Sequence, residues 1–298
     1  MSNEAQVPWD DEQWARVNKV IQDEASRARV AATFLPLYGP LAPSADFVRR
    51  DEIGDAEING IRRLTINDKK VLQLSTLQVK VYLRGAQTAD PDMESVLALF
   101  RRAANVLARL EDALVFNGQP GPDRGPSVGV QGLPAVWEVR GGERWKGLLD
   151  ATDQKVDVAR NDSESLVKGV SEAIGILEGK GQFGPHAVVL DQHLFLLAQT
   201  PQAGLWLPQD RIIPLLGGGS LLRSSTLPPG KGVVVALGGA PVELVVAKDV
   251  SLQFLQVTPD PSFVFRLYEK MVLRIKGPTA IVRLELPAAA GTPSTEAS

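Results

Sequence analysis

An extended stretch of alternating apolar and polar residues, 58–82, constrains the fold of this 298-residue chain most strongly. Leu72-Gln73-Leu74 and Leu77-Gln78-Val79-Lys80-Val81 alternate with the period of a β-strand. Asn67-Asp68-Lys69 tolerates left-handed backbone, so we predict a long β-hairpin with its turn there. Because its alternate positions are polar, this hairpin has too little core to be stable alone. We therefore expect it to pair with another chain.

Two amphipathic helices are predicted on either side of this segment. The first begins where Asp10 or Asp11 can cap free backbone N–H groups, and its apolar residues recur at helical spacing to about Ala32. The second begins at Asp90-Pro91-Asp92, since Asp can cap and proline suits the first helical position. It ends at Asn117-Gly118 and carries one continuous apolar face.

A Gly/Pro-rich loop separates the second helix from a predicted α+β region at residues 135–248. Within it we expect a helix at 163–177 and a short buried strand at 187–190. The segments 233–237 and 242–246 flank two glycines and predict a second hairpin.

The end of the chain is predicted to form strands followed by a tail. Apolar residues alternate after Asp249, and a last strand is predicted at 280–286, where we expect it to complete a sheet with the long helix. Residues 287–298 are small and polar, so they bury too little apolar area to offset the entropy of ordering. We expect this tail to be disordered.

Composition and charge narrow the classes of protein that fit. The chain has no cysteine, which excludes disulfides, thiolate metal sites and a cysteine nucleophile. Its formal net charge is -3, and no basic stripe is present that would neutralise phosphates. Acidic residues stand near the start instead of a basic signal peptide, and no apolar run reaches the ~20 residues that cross a bilayer. We therefore expect a cytoplasmic protein whose partners include no nucleic acid and no membrane.

The histidines and the Gly-rich serine segment lack the neighbouring residues that a metal site or a catalytic nucleophile would need. His186 and His193 flank an apolar strand, and a metal site there would need carboxylates from elsewhere. Gly217-Gly218-Gly219-Ser220 lacks the glycine two residues after the serine that a nucleophile elbow has. We therefore expect a protein that is not an enzyme, with no catalytic residue, no metal and no cofactor.

A series of short motifs, taken in order, resembles one family. The motifs are Glu12-Gln13-Trp14, Tyr38-Gly39-Pro40, the helix end 110–118, Gly132-Leu133, the runs 181–190 and 245–251, and Leu273-Arg274-Ile275-Lys276 with Pro278 and Ala280. The series resembles the encapsulins, in particular the family 1, linocin/bacteriocin-like members. Encapsulins are bacterial and archaeal shell proteins that share the fold of tailed-phage major capsid proteins. The resemblance extends over about residues 8–286.

The resemblance implies an α+β fold of the tailed-phage major-capsid type. Its parts would be an N-terminal helix or arm with the start of the peripheral domain (1–57), an extended hairpin loop (58–89), the long helix of the peripheral domain (90–134), the axial domain (135–248), the strands of the peripheral domain (249–286) and the disordered tail (287–298). In such a fold the axial domain surrounds the symmetry axes.

The resemblance also implies a function in which catalytic residues are not needed. Copies of the chain would assemble into an icosahedral nanocompartment, a homo-oligomer on the order of 60 subunits or a larger multiple. The shell would enclose a cargo protein, for example a ferritin-like protein or a peroxidase, through the C-terminal targeting peptide of that protein. Small solutes would enter through pores at the symmetry axes.

Two other functions stay open at this point. A viral or prophage major capsid protein that packages DNA would share the fold, but it would favour a basic interior. An independent hydrolase or binding protein made of two α+β domains would need a convergent polar site, and the sequence shows none.

The resemblance assigns a cargo-binding groove to eight residues. They come from the end of the N-terminal helix and from a later strand: Ala25, Arg29, Ala32, Thr33, Phe34, Val250, Leu252 and Phe254. The chain departs from the family where Ala31-Ala32 replaces a Gly-Arg pair and Pro36 replaces an acid. The alternative is that these apolar residues only seal the helix against the sheet.

Two further sites are implied by the resemblance. The loop around a five-fold pore would be formed by Thr200, Pro201, Gln202, Ala203, Gly204, Leu205 and Trp206. This loop has no charge, so a pore there would select by size and wetting. Tyr82 and Trp206 fall where some relatives have an aromatic pair that stacks a flavin, although such residues more often anchor an interface.

Overall fold

The computed structural model describes residues 7–58, 60–122, 132–201, 206–260 and 262–287. The chain forms two compact units. The first unit comprises Met1–Ala151 and Gly239–Pro278, and the second comprises Thr152–Gly238 and Thr279–Ser298. Each unit has a five-stranded sheet and its own helices, which confirms the α+β class.

Runs of strands along the chain are separated by single helices or pairs of helices. The helices are α1 (Asp11–Ala28), α2 (Ala31–Phe34), α3 (Gly85–Thr88), α4 (Glu94–Asn117), α5 (Ser163–Gly179), α6 (Gln192–Gln199) and α7 (Pro208–Ile212). The strands are β1 (Leu37–Tyr38), β2 (Phe47–Arg49), β3 (Glu52–Ile58), β4 (Ile61–Asn67), β5 (Val71–Gln73), β6 (Ser75–Arg84), β7 (Trp137–Gly141), β8 (Lys155–Asp157), β9 (His186–Leu190), β10 (Leu221–Arg223), β11 (Lys231–Ala236), β12 (Val242–Val257), β13 (Ser262–Ile275) and β14 (Ile281–Glu285).

Helix α1 begins with a capping box and packs on α4. The Asp10 side chain accepts a hydrogen bond from the backbone N–H of Gln13, and the Gln13 side chain accepts one from the backbone N–H of Asp10. Val17, Ile21 and Ala25 lie buried along one face of the helix. The predicted helix start and its apolar stripe are therefore confirmed.

Helix α4 ends at Gly118 because the chain makes a close approach there. Gly118 has a φ of +83°, and a Cβ atom at this position would lie 2.5 Å from the Gly147 backbone nitrogen and from the Trp145 carbonyl oxygen. Only glycine fits this conformation and this space without strain. The predicted end of the helix at Asn117-Gly118 is confirmed.

The sheet of the first unit has the strand order β1-β12-β13-β6-β7. β1 runs parallel to β12, and the other neighbouring strands are antiparallel. An aromatic cluster joins the N-terminal segment to this sheet: Trp9 stacks on Phe265 with ring centroids 5.1 Å apart, and Phe100 of α4 meets Phe265 edge-on at 5.5 Å. The N-terminal segment is thus part of the core of this unit.

The long hairpin is present, but its turn is not where the sequence predicts it. β3 pairs antiparallel with β4 up to Ile58 opposite Ile61, so the chain reverses between these two residues rather than at Asn67-Asp68-Lys69. Gly60 has a φ of +76°. Asn-Gly is the stronger two-residue turn pair, which explains the correction. β5 then pairs with β2 beside this hairpin.

The second unit has a sheet of order β10-β9-β11-β14-β8. β9 is buried along its whole length, and α5 packs against this sheet through Leu166, Val170 and Leu177. The predicted helix and buried strand of this region are both present.

The structure corrects two predicted strand pairings. β11 pairs with β9 and β14, so the segments 233–237 and 242–246 do not form a hairpin. The last strand, β14, pairs with β11 and β8 and so belongs to the sheet of the second unit rather than to the sheet beside the long helix. The alternation of residues within a strand carries no information about which distant strand it pairs with.

Candidate functional site

Helix α1 ends just before Arg29, and the Asp112 carboxylate on α4 binds the backbone where the chain passes from α1 to α2. The sequence predicts a helix to about Ala32, but Arg29 is extended (φ -66°, ψ 138°) and α2 starts at Ala31. The Asp112 carboxylate accepts hydrogen bonds from the Val30 N–H, at 3.0 Å to each oxygen, and from the Ala31 N–H at 2.7 Å. An acceptor at a helix N-terminus satisfies free N–H groups, so Asp112 fixes the start of α2.

Arg29 points into a cluster of acidic side chains from α4, β12 and β13. Its Nη2 lies 2.7 Å from Asp249 Oδ1 and 3.2 Å from Glu269 Oε1. Its Nε lies 2.7 Å from Glu111 Oε2, in ion-pair contact without the geometry of a hydrogen bond. The side chains of Glu111 and Glu269 are 0% and 1% exposed, whereas that of Asp249 is 60% exposed. One guanidinium therefore faces three carboxyl groups, of which two are shielded from water.

Burial, and after it repulsion between the acids, raises the pKa values of these carboxyl groups. Burial raises the pKa of Glu111 to about 7 against the opposing attraction of Arg29. Burial and then repulsion from Glu111 raise the pKa of Glu269 well above its usual range. Repulsion between Glu111 and Glu269 favours a state in which one of the two buried carboxyl groups stays neutral. Burial also raises the pKa of the neighbouring Asp112 to about 7.

A pocket of about 230 Å³ opens beside this cluster. Its polar end consists of Arg29, Asp249 and Glu269. The rest of the wall comes from the exit of α1, from β1 and its following turn, and from β12: Ala32, Leu37, Tyr38, Gly39, Pro40, Leu244 and Val246. The pocket can hold one apolar group with a polar end next to the carboxyl groups.

Four of the eight predicted groove residues are buried inside the first unit. They are Ala25, Phe34, Val250 and Phe254. The Gln22 side chain donates a 2.7 Å hydrogen bond to the Val250 carbonyl oxygen, and Phe254 meets Phe265 edge-on at 5.4 Å. These four side chains seal helix and sheet together.

The other four predicted groove residues are accessible. Arg29 and Ala32 line the pocket, Thr33 is exposed, and Leu252 is half-buried on β12. The structure thus brings two of the eight residues to the pocket and adds Leu37, Tyr38, Leu244, Val246 and the acids Asp249 and Glu269.

The predicted pore loop is described only at its ends. Gln202, Ala203, Gly204 and Leu205 lie outside the described residues. The Thr200 hydroxyl donates a 2.7 Å hydrogen bond to the Leu196 carbonyl oxygen, and Trp206 is 73% exposed. Tyr82, the other residue of the predicted flavin pair, is also exposed, on β6 in the first unit.

The two histidines have separate structural settings in the second unit. His193 Nε2 lies 2.7 Å from Asn161 Oδ1, and His186 is buried at the start of β9. Within the described ranges no group of three or more His, Asp or Glu side chains could hold a metal ion.

The buried carboxyl groups are functional candidates that the sequence analysis missed. Glu111 lies on the apolar face of α4, between Leu107 and Leu114 at helical spacing. A charged residue on an apolar face indicates a buried ion pair, and this signal was available in the sequence. Asp249 and Glu269 give no such signal, because their meeting depends on the pairing of β12 with β13.

Comparisons with known proteins agree with this fold. A family model described as "Encapsulating protein for peroxidase" matches residues 1–272. The chain is 27% identical to the type 1 encapsulin shell protein EncA of Myxococcus xanthus, over 94% of this chain and 95% of that protein. Among solved structures it is similar to a virus-like particle from Pyrococcus furiosus, with a TM-score of 0.67, 17% identity and coverage of 91% of this chain and 98% of that one. The capsid of Myoviridae phage XM1 has the same fold, with a TM-score of 0.58, 12% identity and coverage of 85% and 89%.

The structural likeness shows the capsid fold, and the family model, which covers most of the chain, shows the family. In the part of the chain that the structure describes, no helix is long and apolar enough to cross a membrane. The chain belongs to the encapsulin family of shell proteins, which share the fold of tailed-phage major capsids.

Proposed function

We propose that this protein assembles into a closed icosahedral shell in the cytoplasm and encloses a cargo protein bound through its C-terminal peptide. The observation that carries the proposal is the hairpin β3–β4, considered together with the family of the chain. Large apolar side chains on it stay exposed in the single chain: Ile53 at 54%, Ile61 at 56%, Leu64 at 88% and Ile66 at 64%. Apolar surface of this kind needs a partner, and in a homo-oligomer that partner is a second copy.

The pocket beside Arg29 supports the docking of a peptide. It joins the residues Arg29 and Ala32, which the resemblance assigns to cargo binding, to the exposed apolar side chains of Leu37 and Tyr38. β1 is the edge strand of its sheet. An extended peptide can therefore pair with this edge while one of its side chains enters the pocket.

The pores are proposed to lie at the symmetry axes and to be ringed by residues 200–206. The exposed Trp206 supports a contact between subunits there, since aromatic residues favour the cores of interfaces. The sequence of this segment has no charge, so passage would depend on the size of a solute rather than on its charge. Stacking of a flavin between Tyr82 and Trp206 is the weaker alternative for these rings.

Filling the pocket tests the docking proposal. Ala32→Phe should reduce loading at least about tenfold, because the larger ring occupies the space that a peptide side chain needs. The measurement is co-expression with a fluorescent protein that carries the C-terminal peptide of a peroxidase from the same organism, followed by quantification of fluorescence in purified particles. Ala86→Phe, at an exposed position on α3, is the matched control and should load normally.

Equal loading by both variants would reject this pocket as the docking site. Absence of loading in the wild type would reject the peroxidase as cargo. Loss of loading in both variants would show that the effect is not specific to the pocket.

A further inference from the structure

We propose that the pocket beside Glu269 binds one cationic group, an ammonium or guanidinium on a short apolar stem, and that this binding releases a proton from the buried carboxyl groups of Glu111 and Glu269. The inference rests on the proposed function, because the natural cation would be a basic side chain in the targeting peptide of the cargo. It goes further by naming the chemistry of that side chain and by predicting that docking releases a proton.

The shape of the pocket selects a single side chain. Its volume of about 230 Å³ is below the roughly 300–1,000 Å³ of sites for drug-sized ligands, which makes it too small for a cofactor such as a flavin. The apolar wall from Ala32, Leu37, Tyr38 and Val246 surrounds a stem, and the polar end lies at one side only. A group bound there is therefore apolar along its length and polar at its tip.

The charge of the polar end selects a cation. With all three carboxyl groups ionised, the single charge of Arg29 leaves two negative charges uncompensated. Burial alone would lower the pKa of Arg29, but attraction from Glu269, Glu111 and Asp249 raises it, so this guanidinium is already engaged. An anionic ligand would meet this acidic surplus and is excluded.

The buried carboxyl oxygens also lack donors. Both oxygens of Glu111 and Oε2 of Glu269 are buried and accept no N–H hydrogen bond within the described residues. Asp112 faces the same region from α4, but its oxygens are used by the N–H groups of Val30 and Ala31. Uncompensated buried carboxylates are costly, so the pair keeps a proton as long as no other positive charge arrives.

An entering cation would supply both the missing charge and the missing donors. It would approach Glu269 and Asp249, which line the pocket, and it would lower the proton affinity of the Glu111–Glu269 pair through its charge. Binding and proton release are then linked, so the affinity for the cation should rise with pH while a proton remains to be displaced.

Small amines test this chemistry directly, because they enter a closed shell. The probes are n-butylammonium and its neutral analogue 1-butanol, titrated into the purified full-length protein between pH 6 and 8. Saturation-transfer NMR gives the affinities, and a pH indicator in weakly buffered solution gives the protons released. We expect n-butylammonium to bind at least about tenfold more tightly than 1-butanol. In the pH range where binding displaces one full proton, the affinity for n-butylammonium should rise up to about tenfold per pH unit.

Substitution of the acids assigns the effect to this pocket. Glu269→Gln should abolish proton release and weaken n-butylammonium binding about tenfold or more, with 1-butanol unaffected. Glu138→Gln is the matched control, since Glu138 pairs with Lys80 on the same sheet but does not line the pocket. If Glu269→Gln does not fold, Asp249→Asn, at an exposed side chain, is the second variant. It should weaken the binding of n-butylammonium and leave the binding of 1-butanol unchanged.

Equal affinity for the amine and the alcohol, or amine binding without proton release, would overturn the inference. Shells that load cargo but do not bind the amine would overturn it while leaving the proposed function intact. Amine binding with proton release by a protein that forms no shell would support the pocket chemistry and reject the proposed function.

Discussion

At the residue scale, Arg29 connects four elements through its side chain. It stands at the end of α1 and contacts acids from α4, β12 and β13, while Asp112 binds the backbone of the next two residues. Truncating one partner of a buried ion pair lowers the free energy of unfolding by more than the pair contributes to it, because the remaining charge stays buried without a counterion. Arg29 thus ties the end of α1 to α4, β12 and β13.

Arg29→Met should destabilise the first unit strongly. Removing one partner of a buried pair costs about 3–5 kcal/mol, and here two carboxyl groups would lose their counterion. The loss should be smaller at pH 5 than at pH 8, since the carboxyl groups are neutral at the lower pH. Denaturant unfolding measures this, and Arg29→Met combined with Glu269→Gln should recover part of the loss. A single variant as stable as the wild type would contradict the account.

The buried acids also predict how stability depends on pH. Glu111 and Asp112 have a pKa of about 7 in the folded chain, against 4.5 and 3.8 in the unfolded chain. At a pH between the unfolded and folded pKa values, the folded chain holds more protons than the unfolded chain. The free energy of unfolding should therefore fall as the pH rises from about 4.5 to 7. Glu138 has its pKa lowered to about 2, mainly by a hydrogen bond from Lys80, and acts in the opposite sense only below this window.

Unfolding midpoints in guanidinium at pH 5, 6, 7 and 8 test this dependence. Glu111→Gln should flatten the slope, because it removes one of the titrating groups. A rise in stability from pH 5 to 7, or an unchanged slope in Glu111→Gln, would show that these carboxyl groups do not hold protons in the folded state.

The sequence predicts a single residue well where its role is local. The capping residue Asp10 and the terminal glycine Gly118 act on their own helices, so their positions follow from spacing. Glu269 acts on residues far away in sequence, and its burial follows from strand pairing that no local pattern encodes. Ala25, Phe34, Val250 and Phe254, which the resemblance assigns to cargo binding, are buried in the first unit, and their burial likewise depends on how the helices pack on the sheet.

At the element scale, the hairpin β3–β4 exposes four large apolar side chains, those of Ile53, Ile61, Leu64 and Ile66. Leu64 alone is 88% exposed, although a leucine on a strand normally faces a core. Exposed apolar side chains and free strand edges invite pairing with another chain. Under the proposed function, we therefore expect the hairpin to act in assembly rather than in the subunit core.

Leu64→Asp should impair assembly and leave the fold of the subunit intact. The charge would have to be buried at a subunit contact, which costs several kcal/mol when it is unpaired. Size-exclusion chromatography measures the assembled fraction, and circular dichroism checks the fold. Arg63→Asp, at the neighbouring exposed position on the other face of β4, is the matched control. Normal particles from Leu64→Asp would remove this surface from the contact.

Elements were predictable from sequence where their own residues determine them. The periodicity of α1, α4 and α5 is strong, and all three helices are present. α1 ends before the predicted Ala32, however, and α4 begins at Glu94, with Met93 rather than Asp90 at its N-cap. The turn of the hairpin was not determined, because two segments with Asn tolerate left-handed backbone and only the register of β3 with β4 decides between them. β14 was placed in the wrong sheet, because an apolar strand fits either one.

At the scale of the whole molecule, the two units differ in what they offer a partner. The first unit carries the hairpin, the pocket and the buried acids. The second exposes the Trp206 side chain. A subunit with separate exposed surfaces can make several different contacts, as closure into an icosahedral shell requires.

Negative-stain electron microscopy of the protein, expressed alone and purified by size exclusion, tests the central claim most directly. The account predicts uniform hollow particles in the void volume, with an absorbance spectrum free of nucleic acid. Particles filled with DNA would favour a viral or prophage capsid instead. A discrete monomer or dimer would contradict the claim that this chain forms a shell.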